Sequence, residues 1–319
     1  MKKIDVIALG ELLIDFTENG ISENGNPLLE ANPGGAPCNV LAMLQNLGKK
    51  TAFIGKVGKD AFGKYLAETV QEIGIDITGL VQDEEIPTTL AFVHTAADGD
   101  RSFSFYRNPG ADMMLTKDEV DYNKIDEAKI FHFGTLSMTH DAVREATKQA
   151  VARAKEKGLL ISFDPNYRPL LWKDAEVAKE MMRYGFEQCD ILKISDDEIT
   201  FVTGKDTIEE AITAFCALYQ PKLMSVTCGK NGSIVIYNGQ KVPCGAHIRP
   251  DTIETTGAGD TFMACMLNFV LEHGVEDLSE SDLLEMQKFA GTAASLITTR
   301  RGALKVMPTK EEVLSELNM

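Results

Sequence analysis

Over most of this chain, short β-branched and aliphatic runs alternate with stretches of helical periodicity, and that alternation restricts the fold more than any other feature. Residues 6–9 (Val-Ile-Ala-Leu) read as a strand, 38–47 as a helix closed by Gly48, 51–54 as the next strand, and 61–73 as a helix ended by Gly74. Within 139–157, Val143, Ala146, Ala150, Val151 and Ala154 share one helical face, Gly158 supplies the stop, and 159–163 is a continuous apolar run. Residues 189–194, 224–228 and 233–237 add strands. Apolar runs without alternation need cover on both faces. The pattern therefore predicts an α/β fold, a three-layer αβα sandwich around a mostly parallel sheet.

One segment breaks the rhythm. Residues 88–95 alternate with period two, Asp98-Gly99-Asp100 reads as a turn, and 101–107 alternate again with Phe103 and Phe105 in phase. That is a β-hairpin inserted into an α/β chain, to which 12–16 and the region of Gly25 can add strands. The expectation is one domain over 1–319 with a small sheet drawn from about 12–32 and 86–110. Such a sheet beside a doubly wound domain suits a lid that excludes water from a reaction, although the pattern alone equally suits a hairpin without a role.

Composition narrows the function classes. The 319 residues are 44% apolar and 25% charged, as in ordinary globular chains, and no apolar run approaches the ~18 residues of a membrane span. Lys2 and Lys3 precede an apolar stretch, but Asp5 and Glu11 interrupt it, so the N-terminus reads as a buried first strand of a cytoplasmic protein rather than a secretory signal. The six cysteines have no C-x-x-C spacing and no histidine at ligand spacing, which predicts reduced thiols. With 48 acidic against 32 basic residues the formal charge is −16. Such a surface repels phosphate backbones and anionic lipid, which argues against nucleic acid and membrane as partners while leaving room for a small phosphorylated ligand.

The strongest local signal is Thr255-Thr256-Gly257-Ala258-Gly259-Asp260-Thr261-Phe262, leading into a helix. Two glycines at a helix start let backbone amides turn toward an anion that the helix dipole favours, and a carboxylate there can meet an acceptor hydroxyl where a phosphoryl group arrives. The same residues also suit a tight turn with Asp260 merely complementing the dipole. Asn32-Pro33-Gly34-Gly35-Ala36-Pro37-Cys38-Asn39-Val40 opens another helix, with room for close backbone approach at Gly34 and Gly35 and an amide at Asn39; a plain turn explains it nearly as well. Gly58-Lys59-Asp60-Ala61-Phe62-Gly63-Lys64-Tyr65 falls short of a Walker A loop because Tyr65 stands where a small hydroxyl is needed, so it reads as a turn and helix start. Asp15 follows the first strand, where ligands collect in open α/β sheets. Thr227-Cys228-Gly229-Lys230-Asn231-Gly232 is either a phosphate contact or a hairpin turn, and Ser195-Asp196-Asp197-Glu198 either a magnesium contact through water or a helix cap. Arg107 and Arg168 read as solvated by default.

Taken together and in this order, these pieces resemble the ribokinase-like sugar kinases, the PfkB carbohydrate kinases. Gly34-Gly35-Ala36-Pro37-Cys38-Asn39-Val40 is similar to their N-terminal motif and Thr256-Gly257-Ala258-Gly259-Asp260-Thr261-Phe262 to their C-terminal one, and the likeness runs along essentially the whole chain. It implies a ribokinase-like central sheet of eight or nine strands and a small β lid that closes over a sugar. It implies Asp260 as the base toward the acceptor hydroxyl and the amides of Gly257, Ala258 and Gly259 as the anion hole. Asp15, Gly34, Gly35 and Asn39 would hold the sugar, helped by Arg107, Asn166 and Arg168. Lys193, Ser195, Thr227, Gly229 and Gly232 would line the site for ATP. Ser195 stands where many members carry Asn, which leaves Glu198 to meet magnesium through water. Glu254 stands where Asp is common beside a monovalent-cation loop, which adds potassium to the activators to test. An aspartate near its ordinary pKa of ~3.9 is ionised at neutral pH, so Asp260 is expected to contribute position rather than tuned basicity.

Gly10-Glu11-Leu12-Leu13-Ile14-Asp15, Arg107-Asn108-Pro109-Gly110-Ala111-Asp112 and Asp164-Pro165-Asn166-Tyr167-Arg168 are most similar to fructokinases. Two arginines near the site can instead grip a carboxylate, as a 2-keto-3-deoxygluconate kinase requires. A catalytically silent sugar-binding regulator is the alternative from another class. A Rossmann dehydrogenase is disfavoured because G-x-G-x-x-G does not follow the first strand. The alternating apolar face of the lid suggests two lids pairing into a homodimer.

Overall fold

Strand β1 (Ile4–Leu9) shows why the sheet is covered on both sides: Val6 and Ala8 enter one hydrophobic core while Ile7 and Leu9 enter another. A strand this apolar on both faces is stable only between two layers. The computed structural model describes residues 2–95 and 101–317. After β1 the chain leaves the sheet as an antiparallel pair, β2 (Leu13–Ile21) and β3 (Pro27–Gly34), and returns through α1 (Ala36–Asn46), β4 (Thr51–Gly58), α2 (Ala61–Ile73) and β5 (Asp76–Asp83). A second excursion, β6 (Leu90–Thr95) and β7 (Arg101–Tyr106), is followed by α3 (Tyr122–Asp126), β8 (Ala128–Gly134), α4 (Asp141–Glu156), β9 (Leu160–Asp164), α5 (Ala175–Gln188) and β10 (Ile191–Ser195). Helices α6 (Asp196–Thr203) and α7 (Ile208–Cys216) lead to β11 (Leu223–Thr227), β12 (Ser233–Tyr237) and β13 (Gln240–Cys244), and the chain closes with α8 (Ala258–His273), α9 (Glu280–Ile297) and α10 (Lys310–Leu317).

The large sheet has nine strands in the order β13-β12-β11-β10-β9-β8-β1-β4-β5, and only β12 runs against its neighbours. Helices α1, α2, α8, α9 and α10 supply the core on one face, and α3 to α7 supply the other. The ribokinase-like sandwich expected from the alternation is the fold observed. Phe131, Phe133 and Phe163 are fully buried in the second core, each contributing roughly 1.5–3 kcal/mol through the area withdrawn from water.

Helix starts follow local chemistry. Asp60 caps α2 by accepting the Gly63 N–H at 2.8 Å, which makes the Walker-like stretch an ordinary turn and helix start, and none of its residues lines the cavity described below. Helix α1 begins at Ala36, two residues before the expected start, because Pro37 fits the first turn and the Glu11 carboxylate accepts the Ala36 N–H at 3.0 Å. Helix α4 begins at Asp141 rather than 139, capped by His140. Three strands were not legible in the pattern. β5 is a polar edge strand, β13 a short edge strand, and β8 carries Lys129 and His132 in a short run; Ser162 Oγ meets the His132 Nδ1 at 2.8 Å and burial holds the imidazole neutral, with a pKa of about 3.

The second sheet has four strands, β3-β2-β6-β7, with β2 parallel to β6 and both outer pairs antiparallel. The expected strand at 12–16 and the one near Gly25 are β2 and β3. The turn expected at Asp98-Gly99-Asp100 lies outside the described residues, as does the side chain of Phe103. Among the described residues no helix is long and apolar enough to cross a membrane, and the six cysteines form no disulfide.

Candidate active site

A cavity of about 560 Å³ opens at the C-terminal ends of the central strands, where helix N-termini and loops converge. One wall is the inner face of the small sheet, with Asp15, Val93 and Phe105; the opposite wall carries Asn39, Asn166, Lys193 and the start of α8. Asp15 shares a cross-strand position with Asn32, and a Cβ at Gly34 would lie 2.5 Å from Asp15 Oδ2, so the glycine makes room for that carboxylate. Gly35 has φ +125°, and a Cβ there would collide with the Glu11 carbonyl. The tight start of α1 therefore needs a glycine on two counts.

Helix α8 is the centre of the site. Gly257 is its N-cap in the left-handed region at φ +78°, and no side chain caps this end. The first-turn amides of a 16-residue helix are thus turned toward the cavity region without a protein cap, which fits an anion. One detail differs from expectation: the Ala258 N–H is engaged by the Thr255 carbonyl at 3.2 Å. Of the three amides assigned to an anion hole, those of Gly257 and Gly259 have no such turn partner.

Asp260 sits in the first turn of α8 and is 8% exposed. Asn39 Nδ2 donates to its Oδ2 at 2.8 Å and Asn166 Nδ2 to its Oδ1 at 3.5 Å. Burial, reinforced by the like charge of Asp164, pushes its pKa up to about 6, against the pull of Asn39, Lys193 and Arg168. The expectation of an unperturbed carboxylate is corrected: α8 buries the group among other charges, so its basicity is raised as well as its position fixed. Asp15 is also raised to about 6, by burial, with Arg168 opposing and Glu254 adding to the shift.

The matching family model is the pfkB family carbohydrate kinase, over residues 3–310. The chain belongs to that family. It is 40% identical over 316 residues to fructokinase-1 of Zea mays, covering 97% of this chain and 96% of that protein. Its fold is similar to that of a fructokinase with bound ATP from Xylella fastidiosa, with a TM-score of 0.89, 29% identity and coverage of 100% and 99% of the two chains. A fructokinase from Vibrio cholerae O395 in a fructose, ADP and calcium ion bound form matches with a TM-score of 0.88, 28% identity and coverage of 98% and 99%.

Within this kinase frame the remaining expected residues separate into groups. Arg168 is exposed and lines the cavity, with its charge acting on both Asp15 and Asp260. Arg107 does not line it. Its guanidinium is buried, bonded to Asp112 Oδ2 at 2.8 and 2.6 Å, to Thr139 Oγ1 at 2.9 Å and to the Leu136 carbonyl at 3.1 Å. Neither the solvated reading nor a direct sugar contact suits an arginine with four of its five N–H donors engaged inside the protein.

Lys193, Ser195 and Glu198 line the cavity. Ser195 and Glu198 form a reciprocal capping box at α6, and the Glu198 carboxylate also accepts the Tyr167 N–H at 2.7 Å. Both its oxygens hold a backbone donor and keep further lone pairs, which fits contact with magnesium through water. Thr227, Gly229 and Gly232 lie off the cavity lining, Thr227 in register beside Ser195 at the sheet end. Gly232 is shaped by the turn itself, since a Cβ would strike the Cys244 carbonyl. Glu254 lines the cavity and accepts the Gly302 N–H at 2.7 Å.

Two buried residues escaped the sequence reading. Glu11 caps α1, and burial pushes its pKa to about 7. Asp164 pairs with Lys193. Their signal was position: each sits where a central strand ends.

Proposed function

We propose that the protein is an ATP-dependent kinase that transfers the γ-phosphoryl group to the 6-hydroxyl of D-fructose. The observation that carries the reading is Asp260 buried in the first turn of an uncapped helix, in one cavity with Asp15 of the small sheet, Asn39 and Arg168. Similarity at 40% identity to a plant fructokinase over nearly the whole chain supports fructose as the sugar.

In this reading Asp15, Asn39, Asn166 and Arg168 hold the sugar hydroxyls, and the first-turn amides of α8 receive the phosphoryl oxygens. Asp260 takes the proton from O6 as the O6–Pγ bond forms and the bond from Pγ to the bridging oxygen breaks, releasing ADP. Magnesium, when bound, neutralises charge on the phosphates, and Glu198 would hold it through water. Lys193, Ser195, Thr227 and Gly229 lie along the nucleotide side. Glu254 stands where a potassium ion would act, which exchange of potassium for sodium in the assay tests.

The small sheet serves as the lid over 12–32 and 86–110. Its outer face carries Phe16 stacked on Phe92 at 4.9 Å with Tyr106 edge-on to Phe92 at 5.2 Å. Tyr106 is 65% exposed and Ile21 73%, with Leu29 on the same face. An exposed apolar sheet face of this kind suits a second copy of the same lid, giving a homodimer. Six unpaired cysteines suit a reducing compartment, the cytoplasm.

Initial rates of ADP production with magnesium, ATP and fructose, 2-keto-3-deoxygluconate, ribose or glucose test the assignment. A dominant fructose rate, lost in Asp260→Ala, is expected. A dominant keto-deoxy acid rate would reassign the sugar, and no turnover on any sugar would favour a silent binder. The burial of Arg107 already removes one of the two arginines that a carboxylate grip invoked.

A further inference from the structure

Asp164 ends β9 and is almost wholly buried. Lys193, on the neighbouring β10, places Nζ 3.0 and 3.3 Å from its two carboxylate oxygens. The lysine head then reaches α8: a Cβ added at Gly259 would lie 2.8 Å from Lys193 Nζ, which places the cation against the residue that precedes Asp260. Asp164 also shapes its own loop. Its Oδ1 accepts the Asn166 N–H at 3.2 Å, and Asn166 takes the left-handed conformation at φ 46°, which a short polar side chain tolerates. That turn brings the Asn166 amide onto Asp260 Oδ1. Asp164, Asp260, His132 and Glu11 together surround a small internal space of about 10 Å³ behind the base.

We propose that Asp164 is a positioning residue of the kinase: paired with Lys193, it orients Asn166 onto Asp260 and sets the charge environment in which Asp260 takes the sugar's proton. The inference rests on the assignment of Asp260 as base. The charged and titratable groups around that carboxylate are Asp164 and Arg168 from the end of β9 and its loop, Lys193 from β10, His132 from β8 and Glu11 from the link after β1, with Asp15 of β2, Glu198 of α6 and Glu254 before α8 lining the same cavity. His132 is neutral, and Asn39 from α1 is an uncharged donor. Asp164 and Lys193 are thus an opposed pair. The acid's negative charge raises the proton affinity of Asp260 and the lysine's positive charge lowers it. While they are paired the acid's influence is the larger of the two, and removing either partner exposes the base to the other alone.

The test is the pH profile of kcat at saturating ATP and fructose in Asp164→Asn, Lys193→Met and Asp260→Asn. Asn at 164 still accepts the Asn166 N–H, so the turn is kept while the charge is lost. The acidic limb of kcat is expected to move to lower pH by about one unit or more in Asp164→Asn and to higher pH in Lys193→Met, the size that one close charge imposes. Limbs that stay in place, or move in the same direction, would overturn the proposal even where the plateau falls. Should Asp164→Asn fail to fold, Lys193→Met decides alone: a limb moved to higher pH supports the inference and an unmoved one overturns it. Asp260→Asn separates the two claims, since wild-type turnover there would remove the base itself, whereas an inactive Asp260→Asn with unmoved limbs in the others removes only the role of Asp164.

Discussion

Asn39 Nδ2 and Asp260 Oδ2 meet at 2.8 Å, although 221 positions separate them in the chain. The contact joins the first turns of α1 and α8, which pack against one another on the same face of the sheet. A donor to a charged partner contributes roughly 1.5–3 kcal/mol. Asn39→Ala should therefore lower kcat by about 10- to 100-fold and move its acidic limb to higher pH, since a donor that favours the ionised carboxyl is gone. Steady-state rates from pH 5 to 9 check this; an unchanged limb would mean the amide does not act on the base.

Asp260→Asn should trade activity for stability. The folded pKa of about 6 lies above the unfolded value near ~3.9, so the stability the protonated carboxyl contributes is present at low pH and is lost as pH rises through 6. The variant escapes that loss. It should unfold at higher temperature than the wild type at pH 8, by about 3 kcal/mol of added stability, and match it near pH 4, while kcat falls by about 10²–10⁴. Thermal melts at both pH values decide it, and an equal Tm at pH 8 would contradict the burial argument.

Gly35→Ala is expected to unfold the link into α1. The added Cβ would strike the Glu11 carbonyl, and φ +125° suits no L side chain. The backbone strain alone costs on the order of 1–3 kcal/mol, before the clash is counted. Urea titration of the variant should show a lower midpoint; an unchanged midpoint would show that the loop shifts freely.

Arg107→Ala should destabilise rather than alter sugar choice. It leaves the Asp112 carboxylate buried beside Thr89 Oγ1 with its cation gone, a loss of about 3–5 kcal/mol for a broken buried pair. The expected result is a large drop in Tm with the fructose to keto-deoxy acid rate ratio unchanged in the folded fraction. A shifted ratio at full stability would return Arg107 to the sugar site.

Leu29→Glu and Tyr106→Lys place charge on the exposed outer face of the lid. If two lids pair, light scattering should give a dimeric mass for the wild type and a monomeric mass for these variants. A monomeric wild type would end the homodimer proposal.

The layered fold was legible because burial on both faces leaves a trace that survives without tertiary information: 6–9 is apolar at every position, 159–163 at every position but Ser162, and the helices between them carry one-sided stripes. The strands that were missed lack that trace. β5 lies at a sheet edge where polar residues such as Asp76 and Gln82 are tolerated, and β8 interrupts its apolar run with His132, whose burial is satisfied only by Ser162 on the adjacent strand. The glycine-rich ends of α1 and α8 were equally visible, because close backbone approach leaves glycine as the residue that fits.

The sequence by itself determined the alternation of elements, the inserted hairpins and the two glycine-rich helix starts, since each depends on residues near one another in the chain. Only the tertiary structure decided which charges face one another. It turned Arg107 into a buried partner of Asp112, set Asp164 and Lys193 together behind Asp260, and raised Asp260 and Asp15 to about 6. Proton affinity in a buried site depends on desolvation and on neighbours within a few ångströms, and those neighbours come from strands and helices far apart in the chain.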